Sequence, residues 1–422
     1  MALWKSLRLH VSVVALSVLA AAPAHSQTVT IAFVATEAPA TYAPAIAAFE
    51  KENPGIKVEY QQIPFGSFNA QIEARIGSKD PSIDVYSADT PRVPALAARG
   101  YLLKLDDYRK DIEAIATPNE VNAISHRDVP HAFPLWTGTQ LLYYNKTLLA
   151  AAGVKPPSAD PKNRVTWEQL LEHATAVQKA GAKYGFTYQQ VDRYFQLQPL
   201  FESVGAGSGL TGPNLLTPSL TNDKWISVAT WYQKLFDSGL SPRGVTPEQT
   251  PDLFINGQVG YFYGGLPMIQ RFNRAESLQY GVAPVPYFAG SKPVTSTGSW
   301  AIGVSPYSTK RKEALQFARF LTLTTEGAWL AVANTSAVPV NKNAYEHYLK
   351  RLAPTSERIG AVGDILSYEI RYTAVPRPRS TGYVVFEDMM NKAFSDIRNG
   401  AEVRSTLTRT EAQLKSTLSR VQ

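Results

Sequence analysis

The sequence predicts an α/β protein of two or three domains, and three observations carry that expectation. The chain has 422 residues, more than one ordinary hydrophobic core serves. Strand-like and helix-like segments alternate from residue 28 onward, the pattern of parallel strands joined by crossover helices. No low-complexity linker divides the chain, so it is expected to cross between domains more than once.

The first 26 residues stand outside this pattern. Lys5 and Arg8 form a basic start, residues 11–22 are apolar but too short to span a bilayer, and Ala24-His25-Ser26 offers small residues for cleavage. They read as a secretory leader cut near Ser26. No comparable apolar run follows, so the mature chain is expected to be soluble.

The elements then follow in order. Residues 28–35 (TVTIAFVA) are rich in β-branched residues and read as a strand. Tyr42, Ile46 and Phe49 recur at helical spacing over 41–53, and Asn53-Pro54-Gly55 stops that helix. Residues 56–63 alternate as a second strand, which completes a βαβ unit. A helix over 67–76, a strand over 82–88 and a helix over 92–99 continue the series, with Asp89 or Thr90 as N-cap. Strands are expected at 141–145, 259–263, 280–286 and 299–304, with Gly264-Gly265 as a turn. Helices are expected at 167–180 with Thr166 as N-cap, and at 223–238, 312–323, 326–333, 384–399 and 401–420. Residues 205–218 read as a Gly- and Pro-rich loop.

Composition removes several function classes. The chain has no cysteine, which excludes disulfides, thiol catalysis, Cys-ligated metals and a lipid-modified N-terminal Cys. The formal charge is +7, mild and dispersed, with no basic stripe interleaved with aromatics; nucleic acid is not an expected partner. There is no G-x-S-x-G, Walker loop, G-x-G-x-x-G or H-E-x-x-H. His126 and His131 lie five apart in a loop-like segment, a weak arrangement for a metal, so neither metal nor cofactor is expected. Glu37, Asp84, Asp89, Glu202 and Asp252 remain as acids that a glycosidase would have to pair across one bond. The 21 Tyr and 7 Trp suit a half-apolar ligand.

Several quoted stretches, in order, carry a resemblance. FEKENPGIKVEY (49–60), DVYSADTPRVPALAARGYLLKLDDY (84–108), PLWTGTQLLYYNKTLLAAAG (134–153), FINGQVGYFYGG (254–265), YGVAPVPYFAGSKPVTSTGSWAIGVSP (280–306) and AVPRPRSTGYVVFEDMMNKAFSDIRNG (374–400) are similar to the solute-binding proteins of bacterial ABC importers. The sugar-binding class with the maltose- and trehalose-binding proteins is the nearest. The resemblance implies a two-lobed periplasmic-binding-protein fold of type II, with a ligand cleft and a hinge of several crossings. It implies an N-terminal lobe of residues 27–136 plus 285–338, and a C-terminal lobe of 137–284 plus 339–422. It further implies a monomeric periplasmic receptor, without catalytic activity, that delivers a sugar to an inner-membrane permease with ATPase subunits.

The resemblance also assigns a ligand site. Trp136 stacks on a sugar's C–H face, while Thr137 and Thr139 hydrogen-bond its hydroxyls; Tyr143 and Tyr144, inside the strand, pack. Thr36, Glu37 and Asp89 end strands and hold hydroxyls. Tyr263, Gly264 and Gly265 bring backbone close to the ligand, Trp300 lines the cleft, and Arg377 reaches it within an R-P-x4-Y pattern ending at Tyr383. Two departures stand out. Gly138 replaces an acid found in some disaccharide binders, and Leu266 replaces the usual aromatic after Gly-Gly; both point away from a long maltodextrin. Arg371, Arg377 and Arg379 lie close together, so an anionic solute such as a glycerol phosphate or sulfonated sugar is the alternative. A periplasmic carbohydrate-active enzyme is the more distant one.

Overall fold

The computed structural model describes residues 28–421; the expected leader over 1–26 lies outside the described residues. Two principal sheets, of six and four strands, organise the chain. Their strands are β1 (Val29–Ala35), β2 (Ile56–Gln62), β3 (Val85–Asp89), β4 (Phe133–Thr137), β5 (Gln140–Asn145), β6 (Tyr184–Tyr188), β7 (Val259–Gly265), β8 (Tyr280–Ala283), β9 (Trp300–Val304) and β10 (Val338–Pro339). The first sheet runs β10-β4-β9-β3-β1-β2 and the second β8-β5-β7-β6.

The expected βαβ unit is present, with β1 parallel to both β2 and β3. The rest of that sheet is not all parallel, because β9 runs against β3 and β4. The reason lies in the chain path. β9 arrives from the second sheet, so its first residue, Trp300, pairs with the last residue of β3, Asp89, and with Trp136 near the end of β4. That edge of the first sheet therefore collects strand ends, the place where open α/β sheets put ligands.

Local chemistry explains most elements. Thr166 caps the helix Trp167–Lys179, as the sequence predicts, and the structure adds Gln169 to make the cap a reciprocal capping box. The apolar run of β5 is buried on both faces: Leu142 and Tyr144 join one core, Leu141 and Tyr143 another. Gly264 and Gly265 do not form the expected turn; they extend β7, paired with Leu141 and Gln140. The helices Tyr194–Ser203 and Tyr345–Ile359 were not anticipated, and each holds an internal proline, Pro199 or Pro354, which reads locally as a breaker. Packing of Tyr194, Leu197, Leu200 and Phe201 on one side and of Tyr348 and Leu352 on the other overrides that signal.

The chain passes between the sheets at Gly138-Thr139, between β8 and β9, and after β10, whose successor helix Tyr345–Ile359 packs on the second sheet. These passages are tied to one another. Thr139 Oγ1 lies 2.9 Å from Thr295 Oγ1, the Gly298 amide donates to the Gly138 carbonyl at 3.1 Å, and Thr295–Ser296 pairs with Ala374–Val375. The joint is thus a small bundle of short segments with few torsions left free, suited to hinge motion.

One glycine sets the spacing of the second sheet against its helix. A Cβ on Gly185 of β6 would meet the Ala174 carbonyl oxygen at 2.4 Å and Leu240 Cδ1 at 2.5 Å. Gly185→Ala is therefore expected to destabilise the protein by about 1–3 kcal/mol through overpacking. Urea unfolding checks this as a lower midpoint at unchanged m-value.

Candidate functional site

The edge where β1, β3, β4 and β9 meet carries the candidate site. Asp89 is the last residue of β3 and is 5 % exposed. Its side chain does not cap the turn that follows. It instead accepts a forked pair of hydrogen bonds from Arg377, Nη1 to Oδ2 at 2.9 Å and Nη2 to Oδ1. Arg377 follows the strand pair at the joint and sits over the rings of Phe195 and Tyr383, 5.6 and 6.0 Å from their centroids. A guanidinium is suited to this combination of planar fork and ring stacking.

The pair is part of a chain of charges that joins the two lobes. Glu387, on the helix Tyr383–Arg398, accepts from Arg92 at 2.5 Å and from the Tyr383 hydroxyl at 2.8 Å. Arg92 also donates to Glu73 at 3.1 Å, and Glu73 pairs with Arg99 at 2.7 Å. Burial works against the charge of Arg377, but Asp89, Tyr383 and Glu387 outweigh it and raise the guanidinium above its ordinary pKa. Arg92 is raised in the same way by Glu387 and Asp89, against its burial. Both arginines therefore stay charged, and the network is an ionic clasp between the strand end of one lobe and the helix of the other.

Aromatic rings flank the clasp. The Trp136 and Trp300 centroids are 6.3 Å apart at 31°. Phe68 packs edge-on against Trp300 at 5.6 Å. On the other side of Asp89, half-buried Thr36 and Glu37 follow β1. Glu37 Oε2 accepts from the Tyr42 hydroxyl at 3.2 Å, and the Tyr60 hydroxyl donates to the Glu37 carbonyl. Burial pushes the Glu37 carboxyl up, against the pull of the Tyr42 hydrogen bond and of those within the Thr36–Glu37 turn.

The remaining expected residues occupy other places. Thr137 is the last residue of β4, paired with Val338, and Thr139 lies in the joint, both nearly without exposure. Tyr263 is a core residue, 5.1 Å from the ring of Tyr188. The Gly265 amide donates to Gln189 at 2.8 Å and its carbonyl accepts from the Tyr143 hydroxyl at 2.9 Å. Arg92, Glu387, Glu73 and Phe195 were missed in the sequence. Two of them had a local signal: Asp89 and Arg92 at i, i+3, and Tyr383 and Glu387 at i, i+4.

Three of the five candidate acids are engaged elsewhere. Asp84 accepts from the Ala32 amide and the Ser308 hydroxyl at 2.8 and 2.6 Å. Asp252 pairs with Arg271, and Glu202 accepts from Gln198. Among the described residues no group of three or more His, Cys, Asp or Glu could hold a metal ion. His131 is instead turned by its Nδ1 to the Val129 carbonyl at 2.8 Å. Two surface cavities, of about 510 and 290 Å³, involve none of the residues of the clasp or the aromatic row.

Comparison with known proteins agrees with this architecture. The family described as bacterial extracellular solute-binding protein matches residues 35–328. The maltodextrin-binding protein of Bacillus subtilis is 26% identical over 341 residues, 78% of this chain and 75% of its own. The sn-glycerol-3-phosphate-binding periplasmic protein of Agrobacterium fabrum is 25% identical over 386 residues, 86% of this chain and 79% of its own. An ABC substrate-binding protein of Listeria monocytogenes, solved in complex with cycloalternan, superimposes with a TM-score of 0.81 at 22% identity, covering 93% of this chain and 100% of that one. The fold is the two-lobed fold of such proteins. No helix among the described residues is long and apolar enough to cross a membrane.

Proposed function

The chain belongs to the bacterial extracellular solute-binding protein family, and from that premise we propose that it captures a neutral sugar in the periplasm for an ABC importer. The carrying observation is the aromatic row of Trp136 and Trp300 beside the Asp89–Arg377 pair. Rings take the apolar C–H faces of a sugar, and strand-end acids take its hydroxyls, each bond contributing about 0.5–1.5 kcal/mol net. The relatives named for maltodextrin and cycloalternan support the same class.

In this reading the chain works without catalysis. Residues 27–136 with 285–338 and 137–284 with 339–422 act as lobes that close by hinge motion on the cargo. The closed form docks as a monomer on the inner-membrane permease and its ATPases. The leader is removed near Ser26, and the absence of cysteine leaves no thiol for a lipid anchor. Thr36, Glu37, Asp89, Trp136, Trp300, Arg377 and Tyr383 form the contact set or its immediate support. Thr137, Thr139, Tyr263, Gly264 and Gly265 shape the floor from behind.

The anionic alternative draws on the glycerol-phosphate-binding relative. It is weakened at two of the three arginines: Arg377 is already paired with Asp89, and Arg371 lies exposed against Tyr372. Mass spectrometry of ligand released from the purified protein, followed by calorimetry against that ligand, tests the proposal. Recovery of a phosphate ester or a sulfonated sugar in place of a neutral sugar would overturn it. Cleavage of a glycoside panel, lost in Asp89→Asn, would overturn the receptor reading altogether.

Glu37 supplies a pH test. Its ionised carboxylate is the form that accepts two hydroxyl bonds, and its raised pKa brings protonation on earlier in acid than for an ordinary Glu. Sugar affinity is expected to hold above that raised pKa and to decline as pH falls through it. Glu37→Gln is expected to flatten the decline, read by calorimetry across pH.

A further inference from the structure

The smaller of the two surface cavities holds a buried cation that is only partly bonded. The cavity lies beside the helix Tyr383–Arg398. Asn391, Ser395 and Arg398 line it at i, i+4 and i+7, so one face of that helix forms its wall. Arg193, also in the lining, is the N-cap residue of the helix Tyr194–Ser203, whose first amide donates to Asn391 Oδ1 at 2.8 Å. The positive end of a second helix therefore borders the cavity.

Arg398 decides what the cavity can hold. The residue is 8 % exposed. Its hydrogen bond to the Val245 carbonyl and its ion pair with Asp192, both at 3.4 Å, leave through Nη1. Its Nε is buried and has no hydrogen-bond partner among the described residues. Nε and Nη2 together form one edge of the guanidinium, and such an edge grips a phosphate or sulfate by two parallel bonds. Arg92, Arg164 and Arg351 also have an unpartnered buried nitrogen, but none of them lines either cavity.

Charge and size narrow the occupant. Three cations, Arg193, Lys392 and Arg398, stand around the cavity against one acid, Asp192. Two of them are shared: exposed Lys392 pairs with Asp396 at 3.1 Å, and exposed Arg193 also acts on Asp388. The attraction is thus modest and centred on Arg398. At about 290 Å³ the space lies at the lower limit of the roughly 300–1,000 Å³ that organic ligands occupy, which suits a small free ion.

We propose that this cavity is an oxyanion site, separate from the cleft, in which a phosphate or sulfate ion takes the Nε–Nη2 edge of Arg398, with Arg193 and the Ser395 hydroxyl as further donors. The site shares no residue with the clasp or the aromatic row, so it stands apart from the sugar reading.

Inorganic phosphate is the probe, titrated by calorimetry at constant ionic strength into wild type, Arg398→Lys, Ser395→Asp and Arg377→Met. Wild type is expected to bind one phosphate with a Kd of about 1 mM or tighter. Arg398→Lys keeps a charge beside Asp192 but removes the fork, and is expected to weaken phosphate about 10-fold or more. Ser395→Asp places a carboxylate in the cavity from a half-buried position and is expected to abolish phosphate binding with no loss of Tm. Arg377→Met, which breaks the clasp, is expected to bind phosphate as wild type does. Absence of saturable phosphate binding by wild type overturns the site, as does equal affinity in wild type and Ser395→Asp. Loss in Arg377→Met with retention in Arg398→Lys and Ser395→Asp places the ion in the cleft; that overturns this site and favours the anionic alternative there, so the two readings fail separately.

Discussion

Arg377→Met is expected to open the protein in solution and to weaken sugar binding by about two orders of magnitude. The substitution keeps an apolar stem over Phe195 and Tyr383 but removes the forked partner of Asp89. Asp89 and Glu387, 5 % and 9 % exposed, are then left to share Arg92, which already serves Glu73. Stripping one partner from a buried ion pair costs about 3–5 kcal/mol, because the remaining charge is neither paired nor hydrated. Here the two acids sit on different lobes, so water reaches them when the lobes part. The cost therefore appears as opening rather than unfolding. Ligand affinity falls by the fraction of molecules still closed, and about 3 kcal/mol corresponds to about 100-fold. Small-angle scattering should give a larger radius of gyration, and calorimetry the weaker binding. Asp89→Asn combined with Arg377→Met should cost less than the sum of the single changes, since the acid orphaned by one is removed by the other. An unchanged radius and affinity in Arg377→Met would sink the clasp.

The second large effect is on stability. Arg164 and Glu369 form a buried pair, Nη1 to Oε1 at 2.8 Å, and Glu369 has no exposure. Arg164 also donates to the Val285 and Pro161 carbonyls at 3.1 and 2.9 Å, and the Thr373 hydroxyl donates to Glu369. The pair braces the segment Glu369–Thr373 that leads into Ala374–Val375 and Arg377. No lobe separation hydrates this acid, so Arg164→Met should lower unfolding stability by about 3–5 kcal/mol. Burial already pushes the Glu369 carboxyl up against the pull of Arg164; without the cation it rises further. A carboxyl raised in the folded state favours folding when protonated, and that advantage is lost as pH rises. The deficit of Arg164→Met should therefore be smaller in acid than in alkali. Urea titrations at both ends of the pH range check this, and an equal deficit at both would show that the lost interaction is not ionic.

The site was legible in part. Asp89 could be placed at a strand end from residue type and position, whereas Trp300 was assigned to the cleft only through the family resemblance. Tyr263 could not be told from a cleft residue, because a tyrosine in a strand before Gly-Gly looks alike whether it faces ligand or core. Its burial against Trp167 and Tyr188 comes from a helix and a strand that precede it by many residues. Asp89 as helix cap was an equally good local reading, and only the position of Arg377, 288 residues away, decides against it.

By itself the sequence determined what short-range physics controls. The β-branched or aromatic residues of β1, β5 and β9, the Thr166 cap of the helix Trp167–Lys179, and the Asn222 cap of the helix Asp223–Asp237 depend on residues a few positions apart, so propensity and hydrogen-bond geometry settle them. The tertiary structure alone decided the direction of β9, the partner of Asp89, and the row that joins Phe68 to Trp300 and Trp136. Those contacts lie between segments that meet only because the chain passes between the sheets and returns, and no local preference records on which side it does so.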